Sequence, residues 1–345
     1  MHIPTNTKPP YTPPGPASTA PPYTPQPQYS PQPAPHYIAG QSQGWPPRPP
    51  HTPQPVYSPQ SSTYNYNGLR QSALLLSAVR DGNKEEAIRL ISEGADLNYR
   101  DHSWGRSPIS QAAEYGRPQV LQILLQHGAS PNSLDVAGTE PSQENTGRTP
   151  LMWGALRGRK EVCRILLDAG ADPMIAEKDG RTALSWAAEH GHGEVVKMFL
   201  ERGVPVDVAD RFRGQTPLSW AAMEGHTFVV VLLLEHGANP NYADKSSRHA
   251  LSWAAQHGND TIVQILLKQK GVQVDLRGAA GKTALAWAAI QGNRKVINLL
   301  LENGADINLA DSQGRTPFSW AAEKGYRSIM DILLEKGAIV GQMRG

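Results

Sequence analysis

From residue 73 onward the apolar positions fall into two alternating patterns. The first is a short block of contiguous small and large residues: TPLMWGA (149–155), TALSWAA (182–188), TPLSWAA (216–222), HALSWAA (249–255), TALAWAA (283–289) and TPFSWAA (316–322). The second is a broad stripe at helical spacing, such as Val195, Val196, Met198, Phe199 and Leu200, or Val296, Ile297, Leu299, Leu300 and Leu301. Each pattern predicts a short helix, and a polar connector separates one pair from the next. Tryptophans at 153, 186, 220, 253, 287 and 320 stand 33 or 34 residues apart. A period of that length predicts stacked repeats rather than one globular core. Two earlier copies, ALLLSAV (73–79) and SPISQAA (107–113), keep the pattern without the tryptophan. The step from Gln111 to Trp153 is 42 residues, which places an insertion at 134–146.

The punctuation agrees with the periodicity. Thr149, Thr216 and Thr316 are each followed by proline, a hydroxyl at the N-cap and a preset φ at the first helical position. The first helix stops near Gly158, Gly191, Gly225, Gly258, Gly292 or Gly325. The second closes at Gly-Ala-Asp or a relative, where glycine suits a left-handed cap. The connector, often through Gly-Arg-Thr, reads as a tight hairpin turn.

These residues resemble the ankyrin repeat: TPLSWAA stands for the family's T-P-L-H-x-A, and GADLN (94–98) and GADIN (304–308) for its repeat ending. The resemblance implies an all-α ankyrin-repeat solenoid, helix-turn-helix plus β-hairpin loops, with about eight repeats. They are placed near 71–100, 103–133, 147–176, 180–209, 214–243, 247–277, 281–310 and 314–340 of a domain spanning 69–340. Ser, Met, Leu or Ala replaces the family's histidine in every copy, so some polar contact between repeats is expected to be lost. The Ser-Trp variant resembles fungal ankyrin proteins.

Composition adds a second region. Residues 1–68 hold 20 prolines before position 60, seven tyrosines and no acidic residue. With almost no aliphatic side chains they read as a disordered Pro/Gln/Tyr-rich tail. Five Ser/Thr-Pro pairs, at Thr12, Thr24, Ser30, Thr52 and Ser58, are candidate phosphosites, and the proline pattern suits a polyproline-binding partner. The remainder carries 31 basic and 31 acidic residues, which argues against direct nucleic-acid binding. The longest apolar run, Phe228 to Leu234, is too short for a membrane span, and no signal peptide is visible. An intracellular location, cytoplasmic and/or nuclear, is expected.

Candidate chemistry dissolves into repeat grammar. Gly281-Lys282-Thr283 resembles the end of a phosphate-binding loop, but the motif's first glycine is Leu276 here. His190 and His192 lack further ligands at metal spacing, and Cys163 sits on an apolar stripe. Arg106, Arg148, Arg181, Arg248, Lys282 and Arg315 form a column that reads as the turn's own preference. No catalytic residue, cofactor, metal or small-molecule substrate is expected.

The six Trp rings are expected to interleave with aliphatic neighbours, since helices of adjacent repeats are too far apart for direct stacking. The last repeat carries a normal apolar stripe (Ile329, Met330, Ile332, Leu333, Leu334) and is expected to fray first, or to be covered by a partner or another copy. A protein partner is expected on the concave side implied by the resemblance. There the chain departs from its own pattern at Trp104, Tyr115, Leu156, Arg211, Phe212, Arg213, Met223 and Ile290. The function expected is a non-catalytic protein-interaction scaffold, best read as a transcription co-regulator acting through a DNA-bound partner, in a fungal secondary-metabolite setting. The alternative is a cytoplasmic adaptor in signalling or protein turnover.

Overall fold

The computed structural model describes residues 66–102, 105–135 and 147–340. Residues 1–65 of the tail with its five Ser/Thr-Pro pairs, Trp104 and most of the insertion lie outside them, whereas 66–68, expected in the disordered tail, begin the first helix. Sixteen α-helices follow one another in pairs: α1 (Tyr66–Asp81) and α2 (Lys84–Ser92), α3 (Pro108–Tyr115) and α4 (Pro118–Gln126), α5 (Pro150–Leu156) and α6 (Lys160–Asp168), α7 (Ala183–Glu189) and α8 (Gly193–Glu201), α9 (Pro217–Glu224) and α10 (Thr227–Glu235), α11 (Ala250–His257) and α12 (Asp260–Leu267), α13 (Ala284–Gln291) and α14 (Arg294–Glu302), α15 (Pro317–Glu323) and α16 (Arg327–Glu335). Odd helices pack on the odd helices before and after them, from α1 to α15, and even helices do the same in a second row. The even row is thinnest at α16.

The first helices are short because their signals are close together. Ser107, Thr149, Thr182, Thr216, Thr283 and Thr316 each accept the N–H three residues on. Gly225 closes α9 in the left-handed region at φ 85°, where other residues are strained. His249 occupies the threonine position before α11 and makes no such cap. Alanines on the first helices, such as Ala221, Ala222, Ala254 and Ala255, have no exposed surface. They let neighbouring helices approach while Leu218 and Leu251 fill the space toward the second helices. Gly154 stands where other copies have alanine; a Cβ there would lie 2.9 Å from Cys163 Sγ. Cys163 is the stripe residue expected, and burial pushes its thiol up to about 12.

The connectors fold back as tight turns, yet no β-strand occurs among the described residues. The buried Asp210 explains this for its turn. Its carboxylate takes the N–H groups of Arg213 (2.6 Å), Gly214 (3.1 Å) and Gln215 (3.1 Å), donors a ladder would need. Two closing bonds remain, Asp210 N to Gln215 O at 3.0 Å and Gly214 N to Asp210 O at 3.1 Å.

Polar contact between repeats is not lost with the histidine; it is moved. From Arg117 to Asn293 the residue after the first-helix glycine reaches back to the preceding repeat's helix end. His192 Nε2 meets Leu156 O at 2.9 Å, and His226 Nε2 meets Glu189 O at 2.7 Å. Asn259 Nδ2 donates to Ala222 O at 2.8 Å, and Asn293 Nδ2 to Ala255 O at 2.8 Å. His192 is thereby held as an inter-repeat tie, while His190 Nδ1 lies 3.2 Å from Trp186 O. At the repeat endings, Asn241 Nδ2 donates to Gly271 O at 2.8 Å and its Oδ1 accepts Gln273 N at 2.9 Å.

Candidate functional site

The tryptophan column and the basic column are one structure. The cation stands five residues before the tryptophan of its own repeat, as in Arg181 and Trp186 or Arg248 and Trp253. It inserts between that ring and the ring of the next repeat. Arg181 lies 3.6 Å from the Trp186 ring and 4.3 Å from Trp220. Arg148 lies 5.0 Å from Trp153 and 4.2 Å from Trp186; Arg248 lies 3.4 Å from Trp253 and 4.4 Å from Trp287. Lys282 sits between Trp287 and Trp320, at 5.4 and 5.3 Å, and Arg315 covers Trp320 at 3.5 Å. The rings therefore interleave with cations, not with the aliphatic side chains expected. A flat guanidinium fills a gap of roughly 8–10 Å between repeats, and the ring's negative face attracts it. The Gly281-Lys282-Thr283 triplet is structural, since Lys282 is a rung and Thr283 caps α13.

Each buried cation needs a counter-group, and most find one eight residues on. Arg106 pairs with Glu114, Arg181 with Glu189, and Arg315 with Glu323 at 3.6 Å. Arg248 finds only an amide there, Gln256 Oε1 at 2.5 Å, and burial pushes its guanidinium down to about 10. Four of the six indole N–H groups have acceptors at the start of the turn. Trp220 donates to Asp210 (3.2 Å), Trp253 to Asp244 (3.1 Å) and Trp320 to Asp311 (3.2 Å). Trp153 donates to Asp135 at 2.5 Å, whose burial pushes its carboxyl up to about 6. Trp186 Nε1 and Trp287 Nε1 are buried without a partner; Glu177 before Trp186 is taken by Arg148, and the turn before Trp287 starts with Gly278.

One rung is neutral. Gln215 stands between Trp220 and Trp253 in the cation position, fully buried, with neither amide atom hydrogen-bonded.

Three residues expected at a partner surface stand beside this column. Leu156, Met223 and Ile290 lie eight residues after Arg148, Gln215 and Lys282. Arg148 turns to Glu177 at 2.8 Å, Gln215 has no charge, and Lys282 forms no ion pair among the described residues. Leu156 and Ile290 are half-buried against the core, and Met223 is half-buried.

The other expected residues among those described are exposed. Tyr115 ends α3 at 39% exposure. Phe212 is 68% exposed at the tip of its turn, between the exposed Arg211 and Arg213, with the Arg213 guanidinium 5.8 Å from its ring centre. The tip is held from both sides. Arg211 N and Phe212 N donate to Asp179 O at 2.7 and 3.2 Å, and Lys245 N donates to Arg213 O at 2.9 Å. Three successive tips are thus joined through their main chains.

A family model described as ankyrin repeats (3 copies) matches residues 59–135, 134–210, 203–278 and 251–343. The chain is similar to ARF GTPase-activating protein GIT1 of Homo sapiens, 40% identical over 70 residues, which are 20% of this chain and 9% of that protein. It is 34% identical over 67 residues to 2-5A-dependent ribonuclease of Mus musculus, 19% of this chain and 9% of that protein. It is 37% identical over 75 residues to B-cell lymphoma 3 protein homolog of Mus musculus, 22% of this chain and 16% of that protein. The chain thus spans only a small part of the length of the curated relatives it matches.

Proposed function

Because the chain belongs to the ankyrin-repeat family, we propose that it is a non-catalytic scaffold that binds another protein through the tips of its middle repeats, at Arg211, Phe212 and Arg213. Ankyrin repeats are interaction modules, and the described residues hold no group of three or more His, Cys, Asp or Glu placed to bind a metal ion. The observation that carries the reading is Phe212. It is a large ring left 68% exposed on a turn that hydrogen bonds hold from both sides. A rigid exposed aromatic loses little entropy when it is covered, and Arg and aromatic residues dominate interface energies.

The finer reading is a transcription co-regulator acting through a DNA-bound partner. Its support is the resemblance to fungal ankyrin proteins and the Pro/Gln/Tyr-rich arm ahead of the repeats. The adaptor reading differs in compartment, so exclusion from the nucleus in living cells would favour it. The binding surface itself is tested with Phe212→Ala combined with Arg213→Ala. A partner captured by the intact chain should bind the double variant about 2 kcal/mol more weakly, roughly thirtyfold, with unchanged thermal unfolding. Full-strength binding in calorimetry would move the site elsewhere.

A further inference from the structure

We infer that the ridge of Lys178, Arg211, Phe212, Arg213 and Lys245 takes an extended acidic peptide segment, with an apolar side chain seated against Phe212. The inference rests on the reading of the tips as the binding surface and adds the chemistry of what they bind.

Several exposed cations along the second helices are paired, although Lys84, Arg294 and Arg327 form no ion pair among the described residues. Arg89 meets Glu86 and Glu93 at 2.5 Å, Arg164 meets Glu161 (2.6 Å) and Asp168 (2.8 Å), and Lys160 meets Glu194 at 2.7 Å. Arg202 bridges to Asp168 of the preceding repeat at 2.7 Å. On the tips the pairing stops. Lys178, Arg211, Arg213 and Lys245 are all exposed, and none forms an ion pair among the described residues. Asp179 is the exposed acid beside them. The acids beneath are committed: Asp210 and Asp244 to the N–H groups of their own turns and to indoles, and Glu177 to Arg148. Lys245 also gives its ammonium to the Arg211 carbonyl, which leaves further donor positions for a ligand. The folded region is neutral in total, so attraction to an anion is local to this ridge.

The geometry sets the spacing of the ligand. Neighbouring repeats stand roughly 8–10 Å apart, and a chain extended as polyproline II rises about 3.1 Å per residue with about three residues per turn. One repeat is therefore about one turn of the peptide. Acidic residues three apart share one face of it and meet Lys178, then Arg211 and Arg213, then Lys245. The residue two past the central acid flanks that face beside Phe212. Charge gives the register, and the ring gives the contact that excludes water.

The test uses the full chain and fluorescence anisotropy. The probe is a labelled decapeptide with Glu at positions 2, 5 and 8 and Leu at position 7, the remainder Ser and Gly. The controls are the same composition with the three Glu adjacent, the same peptide with Lys for Glu, and a decathymidylate strand. We expect saturable binding of the spaced peptide, at least tenfold tighter than the clustered one, and no binding of the Lys peptide. Arg213→Glu should weaken binding at least tenfold and Phe212→Ala at least threefold, with unchanged circular dichroism. Equal binding of the clustered peptide, tighter binding of decathymidylate, or no binding of any acidic peptide overturns the inference. If acidic peptides fail while Phe212→Ala with Arg213→Ala still releases a captured protein, the tips remain the binding surface and only the acidic chemistry falls.

Discussion

Gln215 should accept the rung that every other tryptophan-bearing repeat has. The perturbation is Gln215→Arg together with Met223→Glu, which copies Arg181 and Glu189 from the repeat before. The parent buries an amide with neither atom bonded, a cost of about 1–3 kcal/mol. A guanidinium there would lie between the Trp220 and Trp253 rings, and a desolvated cation–π contact is worth about 2 kcal/mol. Against this stands the loss of hydration of a buried cation, several kcal/mol if left alone. The carboxylate introduced at 223 offsets much of that. The net expectation is a gain of about 1–2 kcal/mol for the pair. Met223→Glu alone places a carboxylate without its cation and should lose about 1 kcal/mol. Gln215→Arg alone should be near neutral, since Lys282 already stands between two rings with an apolar residue, Ile290, in the counter-group position. The coupling between the two changes is then about 2 kcal/mol, read from a double-mutant cycle. Urea unfolding followed by tryptophan fluorescence gives the cycle, and hydrogen exchange across 214–257 locates it. A coupling below about 0.5 kcal/mol, or a double variant less stable than the parent, would refute the ladder as a stabilising device.

Three further outcomes follow from single positions. His249 is buried beside Arg248, and burial pushes its imidazole from 6.5 down to about 4. Its neutral form suits the fold, so stability is complete above about pH 6.5 and falls toward pH 4; His249→Thr should flatten that slope in pH-dependent unfolding and add about 1 kcal/mol at pH 7 by restoring the α11 cap. Gly278→Asp should give the unpaired Trp287 N–H an acceptor and Lys282 a counter-charge. Its Cβ would sit 3.2 Å from Arg248 Cγ, a tight but yielding contact, so a gain of about 1 kcal/mol in urea unfolding is expected and a loss would show the site too crowded. At the end of the array Ile329, Ile332 and Leu333 are buried, but Leu334 is 44% exposed and Met330 only half-covered. Hydrogen exchange should be faster in α16 than in α10, and equal protection of a monomer would refute fraying there.

The helices were legible in the sequence because their signals are local. A hydroxyl before proline, a glycine after one turn and a stripe at 3.6-residue spacing act within a few residues of themselves. The ladder was not legible in the same way. Both columns could be seen, and so could the constant five-residue offset between cation and ring and the acid three residues past the ring. What the offset means depends on the distance between repeats, which no single repeat contains. The replacement ties were hidden for the same reason. His192 and Asn259 look like ordinary residues at a helix start until the preceding repeat's carbonyls are placed beside them.

Departure from the repeat pattern is therefore weak evidence for function until the framework has been subtracted. Leu156, Met223 and Ile290 depart from it as clearly as Phe212 does. They have an account inside the stack, since they stand eight residues after a rung that is neutral, is a lysine or is drawn to another acid. Phe212 has no such account. Its turn needs Asp210 to collect the N–H groups and a glycine at 214, and the main chain of Asp179 and Lys245 to hold its flanks. None of these uses the ring. The array would stack equally well with a small polar residue at 212, as it does with Ser246 and Gln313 at the corresponding place on other tips. An aromatic side chain that contributes nothing to packing, fixed in place and set among unpaired cations, is explained by what it meets outside the fold.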